Sequence, residues 1–207
     1  NADSSGSRLA LTGRNFAQLQ PIARLEGPWT VTFDPKWGGP GEITFQELVD
    51  WTARPEPGIK YYSGIATYQK LFDLNSATNG HPRLRLRLGR VNVVARVRLN
   101  GSDLGVVWCA PWSVDITDQL RAKDNRLEIE VANLWANRLI GDQQVPDKNV
   151  REVQWPTGLL EGRSLKTGRY TFSTHQYYKA DSPLQSSGLL GPVEIVTEMT
   201  VPESKRK

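Results

Sequence analysis

Seven tryptophans in 207 residues are the side chains from which chemistry can first be read. A pyranose has apolar axial C–H groups on its face and hydroxyls around its edge, so a surface that binds it wants an aromatic ring beside hydrogen-bonding groups. Trp135-Ala136-Asn137-Arg138-Leu139-Ile140-Gly141-Asp142 holds that mixture in one short string. Trp135 would stack, while Asn137, Arg138 and Asp142 would bond vicinal hydroxyls. The same string has a structural reading, in which Arg138 and Asp142 pair and pin a loop. Trp37 (in Trp37-Gly38-Gly39-Pro40), Trp112 and Trp155 also lie in or beside loops, whereas Trp29 opens an alternating run and belongs to a core. The carbohydrate-binding candidates are therefore Trp135, Asn137, Arg138 and Asp142, followed by Trp37 and Trp112.

Catalysis finds less support. His81 and His175 have no partner at i,i+4, and no H-E-x-x-H, G-x-S-x-G, G-x-G-x-x-G or phosphate-loop string occurs. In Gly101-Ser102-Asp103-Leu104-Gly105 the serine stands one place too early for a nucleophile elbow. Cys109, the single cysteine, reads as a buried small hydrophobe and excludes intrachain disulfides and Cys-rich zinc sites. A glycosidase needs two facing carboxylates. Most of the 22 acids fall on polar strand faces (Glu128, Glu130, Glu194) or turns (Asp103, Asp118, Asp124), which leaves Asp142 with Glu152 or Glu161 as the pair a free-standing enzyme would use. The formal charge of +4 is spread out, with Lys205, Arg206 and Lys207 the one compact basic run, so nucleic acid is not an expected partner. No run of 18 apolar residues could span a membrane as a helix.

The elements that would position these residues are strands. Trp29, Val31 and Phe33 alternate with Thr30, Thr32 and Asp34, and the same period recurs over 65–74, over Leu84, Leu86 and Leu88, over Val93 to Leu99, and over Leu127, Ile129 and Val131. Weaker strands are expected over 42–45, 105–108, 112–116, 170–173 and 192–200. Asn100-Gly101 between Leu99 and Leu104 is a strong hairpin signal. Many short strands separated by Gly, Pro and Asn predict an all-β fold, an antiparallel β-sandwich, with room only for short helices. The expected organisation is a linker or N-terminal extension over 1–27, a sandwich domain over 28–201 and a basic tail over 202–207. The aperiodic stretch 143–187 reads as a long excursion of the kind that often carries function.

Four ordered strings carry a family resemblance. They are Tyr61-Tyr62-Ser63-Gly64-Ile65-Ala66-Thr67-Tyr68; Arg98-Leu99-Asn100-Gly101 with Leu104-Gly105; Pro111-Trp112-Ser113-Val114-Asp115-Ile116-Thr117; and Asn125 to Asn133. Together they resemble the sugar-binding jelly-roll domain of glycoside hydrolase family 2. Residues 135–142 and Ser187-Gly188-Leu189-Leu190-Gly191-Pro192-Val193 are similar to the version found in family 106-type α-L-rhamnosidases. The resemblance implies a galactose-binding-domain-like sandwich that accompanies a catalytic (β/α)₈ barrel. A barrel needs about 250 residues, so the catalytic carboxylates are expected outside this chain. The implied role is a non-catalytic carbohydrate-binding or accessory domain, with a sugar or the parent's catalytic domain as partner and an extracytoplasmic location by analogy. A structural or protein-interaction module is the alternative. No cofactor is read from the sequence; sandwiches of this type often carry a structural Ca²⁺, which needs several convergent oxygens.

Overall fold

Period-two alternation becomes strand at every strong site named above that the structure covers. The computed structural model describes residues 19–74, 83–144 and 177–198. Its strands are β1 (Leu19–Arg24), β2 (Trp29–Phe33), β3 (Gly41–Phe45), β4 (Ile65–Phe72), β5 (Leu84–Arg87), β6 (Arg90–Asn92), β7 (Val94–Leu99), β8 (Ser102–Val107), β9 (Ser113–Asp115), β10 (Asn125–Ala132), β11 (Gly188–Gly191) and β12 (Glu194–Glu198). Two short helices, α1 (Pro57–Lys60) and α2 (Ala136–Asp142), sit in the connections. One sheet has six strands in the order β3-β2-β4-β10-β7-β8, a second has four in the order β1-β12-β5-β9, and β11 pairs with β6. The strand pairings are antiparallel, and the protein is an all-β sandwich.

The buried alternates face one another across the sandwich. Trp29, Val31, Phe33, Ala66, Tyr68, Val97, Ile129 and Val131 come from the large sheet, and Leu84, Leu86, Val114 and Ile195 from the small one. Burying a large apolar side chain stabilises by about 1.5–3 kcal/mol, which fixes the phase of each strand, since a slip of one residue would expose every core side chain. The polar alternates, including Arg96, Arg98, Glu128 and Glu130, are thereby set on the outer face of the large sheet.

Turn chemistry follows the residues. Asn100 (φ 54°) and Gly101 (φ 85°) both take left-handed conformations between β7 and β8, as a two-residue primed turn requires. The Asp115 carboxylate accepts hydrogen bonds from the Thr117 amide (3.0 Å) and hydroxyl (2.7 Å), closing the turn after β9. Near the end of the chain, Gly188 (φ 101°) stands where a Cβ would lie 2.4 Å from Trp51 Nε1. That closeness serves a buried polar node. Trp51 Nε1–H donates to the Tyr68 hydroxyl at 2.6 Å, and the Leu189 amide donates to the same oxygen at 3.2 Å. Burial pushes the Tyr68 phenol up to about 12 against the opposing pull of these two donors.

The expectation of a linker or N-terminal extension over 1–27 meets the described residues from Leu19 onward. Leu19–Arg24 is a strand, paired with β12. Its register shifts between Pro21 and Ala23, and Pro21 can donate no ladder bond, so an edge strand forms through its backbone without a readable alternation. Cys109 is corrected, because it is exposed on the turn after β8 and not buried. Residues 1–18, 170–173 and 202–207 lie outside the described residues.

Candidate functional site

The candidate residues divide around α2. Trp135 caps its N-terminus, 51% exposed, and meets the 38%-exposed Trp37 edge-on, with ring centroids 6.2 Å apart and planes at 75°. Trp37 arrives on a single 3-10 turn over Pro35–Trp37 after β2, held because the Asp34 carboxylate accepts from the Lys36 amide at 2.9 Å and Gly38 closes the turn at φ 80°. Two tryptophans chosen separately from the sequence thus form one exposed aromatic corner.

The polar candidates are elsewhere. Asn137 is 1% exposed; its Nδ2 donates to the Gln185 carbonyl (2.6 Å) and the Ser187 hydroxyl (3.0 Å), and its Oδ1 accepts from the Gln185 amide (2.7 Å). Both ends of the amide tie α2 to the segment before β11. Arg138 and Asp142 are buried as well, and Arg138 Nε lies 3.2 Å from Asp142 Oδ1 across one helical turn. This is the loop-pinning pair that the spacing allowed. The three side chains read from the sequence as hydroxyl-binding groups are thus buried, as are Ala136, Ile140 and Gly141 of the same helix, while Trp135 at its N-cap stays half exposed. Trp112 is separate again. It takes φ 50° in the connection from β8 to β9, donates its amide to the Cys109 carbonyl and packs half-buried against the core. Trp155, Glu152 and Glu161 lie outside the described residues.

Sheet register extends the corner into an apolar row that the sequence reading missed. Ile65 stands opposite Ala132, and Ala132 opposite Val94; Trp108 continues the row one residue beyond the Ala95–Val107 pair. Leu134 joins it, because its carbonyl accepts from the Ser63 hydroxyl at 2.8 Å beside the start of β4. Ile65, Leu134 and Trp108 are each more than half exposed. The signal was present in the strand phase, since a strand with Ala66 and Tyr68 inside must turn Ile65 outward.

The α2 tether has one charged anchor. Asp50 Oδ1 accepts from the Ser187 amide (3.0 Å), the Thr52 amide (2.9 Å) and the Thr52 hydroxyl (2.9 Å). Burial opposes the Asp50 charge, but these bonds and one with the Ser186 hydroxyl outweigh it and hold the carboxyl below its ordinary value. Among the described residues, no three His, Cys, Asp or Glu side chains stand together in a way that could hold a metal ion. No described helix is long and apolar enough to cross a membrane.

Comparison with known proteins gives this geometry a setting. Residues 61–173 match the family model described as glycosyl hydrolase 2 galactose-binding domain-like. A curated protein of Formosa agariphila named "Putative beta-glucuronidase" is 38% identical over 196 residues, which cover 92% of this chain and 17% of that protein. A solved rhamnosidase from Novosphingobium sp. PP1Y superposes with a TM-score of 0.71 at 36% identity, over 94% of this chain and 16% of the larger one. The β-glucuronidase of Ruminococcus gnavus shares the fold at TM-score 0.56 and 16% identity, over 90% of this chain and 30% of its own. The chain therefore spans about a sixth of the first two relatives.

Proposed function

We propose, from the premise that this chain belongs to the glycosyl hydrolase 2 galactose-binding domain-like family, that it serves as a non-catalytic accessory domain of a larger glycoside hydrolase. Its working surface in this reading is the Trp37–Trp135 corner, and the partner is the catalytic domain of the parent chain. The observation that carries the proposal is the split around α2: aromatic rings outside, and Asn137, Arg138 and Asp142 all buried. A sugar held by stacking also needs hydrogen-bonding groups at its edge, and the three that the sequence offered are buried. A protein surface needs only a complementary apolar face, which the row from Trp135 through Ile65 to Trp108 supplies. In this reading the carboxylates that cleave a glycosidic bond belong to the rest of the parent enzyme.

The test compares the isolated chain with the parent. Trp37→Ala/Trp135→Ala is expected to leave the isolated chain's Tm nearly unchanged while lowering the Tm of the catalytic domain in the full-length enzyme. Equal Tm values for the full-length wild type and variant would exclude docking through this corner. A second reading, stacking of a sugar on Trp135, is favoured by the exposed edge-to-face ring pair alone. Titration of the isolated chain with mono- and oligosaccharides, L-rhamnose and D-galactose among them, separates the two by tryptophan fluorescence. Saturable quenching that Trp135→Ala removes would establish the sugar reading.

A further inference from the structure

Away from the tryptophan corner, the large sheet carries two adjoining clefts. One, of about 510 Å³, is lined by Arg98, Asn100, Gly101, Arg121, Asp124, Arg126 and Glu128. The other, of about 240 Å³, is lined by Thr30, Gln69, Lys70, Leu71 and Arg126. Arg126 is common to both, and Leu71, its register partner on β4, stands exposed beside it. The two clefts, together the trough, adjoin at Arg126.

The frame beneath the trough is rigid. Asn125 is fully buried: its Nδ2 donates to the Arg121 carbonyl (2.6 Å), and its Oδ1 accepts from the Arg121 amide (2.9 Å) and Asn100 Nδ2 (3.1 Å). Asn100 in turn donates to the Gln119 carbonyl (2.6 Å) and accepts from the Arg126 amide (2.8 Å). Two asparagines thus tie the backbone at 121 and 126 to the β7–β8 turn. Gly101 keeps the wall between them low, because a Cβ there would meet only open space.

The charges in the trough are unevenly committed. Arg98 is neutralised, with Nη1 donating to Glu128 at 2.8 Å and to Glu130 at 2.9 Å. Gln69 Nε2 donates to the second Glu128 oxygen at 3.1 Å, so that carboxylate is engaged from both sides. Arg121 and Arg126 make no ion pair among the described residues, and Asp124 is the one remaining acid in the lining. Lys70 adds a cation on the far side, its Nζ donating to the Pro28 carbonyl at 3.0 Å and lying 5.1 Å from the Trp29 ring centroid.

We propose that this trough binds an acidic oligosaccharide, with Arg121 and Arg126 holding a carboxylate or sulfate ester and Leu71 carrying the apolar face of an adjacent sugar ring. Guanidinium groups match either oxyanion by paired N–H donors. The inference rests on reading the chain as part of a glycoside hydrolase, which supplies a saccharide as the ligand. It does not depend on the tryptophan corner.

Calorimetric titration of the full chain tests it with four probes: an oligogalacturonate tetramer, a carrageenan tetrasaccharide, neutral cellotetraose and inorganic sulfate. At least one acidic tetrasaccharide is expected to bind, with affinity falling as salt rises, and the one that binds identifies the oxyanion. Arg121→Gln/Arg126→Gln is expected to weaken that binding by about tenfold or more, as loss of charged hydrogen bonds does. Trp37→Ala/Trp135→Ala should leave it unchanged, which keeps a failure at the trough distinct from a failure at the corner. Arg126→Lys, which keeps the charge and removes the planar fork, should give an intermediate loss. No binding of either acidic probe, equal affinity for cellotetraose, equal affinity for inorganic sulfate, or undiminished binding by a folded Arg121→Gln/Arg126→Gln variant would each overturn the proposal.

Discussion

The α2 corner and the outer face of the large sheet treat the same residue types in opposite ways. At the corner, an arginine, an aspartate and an asparagine are enclosed while two indole rings face solvent. On the sheet, arginines and glutamates stand outside beside exposed Ile65 and Leu71, and the opposite apolar alternates are enclosed. Polar side chains beneath the corner hold the fold together because burial strengthens each bond and makes its loss expensive. Polar side chains on the sheet face are screened by water and remain open to a ligand. Residue type therefore says less about function here than the direction in which the local backbone points the side chain.

If that contrast is right, the largest effect lies under α2. Asp142→Asn leaves the Arg138 charge buried without its counter-ion, and a stability loss of about 3–5 kcal/mol is expected in urea unfolding. A fully stable Asp142→Asn chain would show instead that the carboxylate is free for chemistry. Asn137→Ala removes three hydrogen bonds, takes that acceptor from the Gln185 amide and leaves the Gln185 carbonyl only its bond from the Ser187 hydroxyl, for an expected loss of about 1–3 kcal/mol.

Acid sharpens the same side of the comparison. The Asp50 carboxyl is held below 3.8 in the folded chain, so its contribution is fully present above that value and is lost as pH falls through the depressed one. Urea midpoints measured from about pH 5 down to about pH 2 should drop more steeply for wild type than for Asp50→Asn. At the alkaline end the sign reverses. The Tyr68 phenol, raised from 10.0 to about 12, contributes stability that is complete below 10.0 and lost as pH climbs toward the raised value. Tyr68→Phe should abolish that alkaline limb, and it strands the Trp51 and Leu189 N–H groups, costing about 2–4 kcal/mol at neutral pH.

How much of this was legible depended on whether the signal was local. The strand phases of 29–33, 84–87 and 127–131, the Asn100-Gly101 turn and the Asp115–Thr117 closure each rest on residues close in sequence, and the sandwich followed from them. Strand β1 was not legible, because an edge strand with Pro21 is specified by its partner β12 and not by its own pattern. Trp37 and Trp135 could be chosen as loop aromatics, but their contact joins residues 98 positions apart. The burial of Asn137 depends on its meeting the segment at 185–187, 48 to 50 positions away. The string at 135–142 carried both the sugar-binding reading and the pinning reading, and which of its side chains are buried depends on packing that the string alone does not show.

The smallest expected effect tests the sheet face. Asp103 is held down at about 2, first by its hydrogen bond from Arg96 and then by the Gly105 amide. Both Arg96 and Asp103 are substantially exposed, so the pair can shift a titration without supporting the fold. Arg96→Gln should move the Asp103 titration up toward 3.8, read from its side-chain carboxyl carbon by NMR, while the urea midpoint stays within its scatter. High salt should move the wild-type titration in the same direction, because an exposed pair is screened. A marked drop in the midpoint of Arg96→Gln would mean that the outer face is built like the α2 corner, with its charges serving the fold, and the distinction between the two regions would fail.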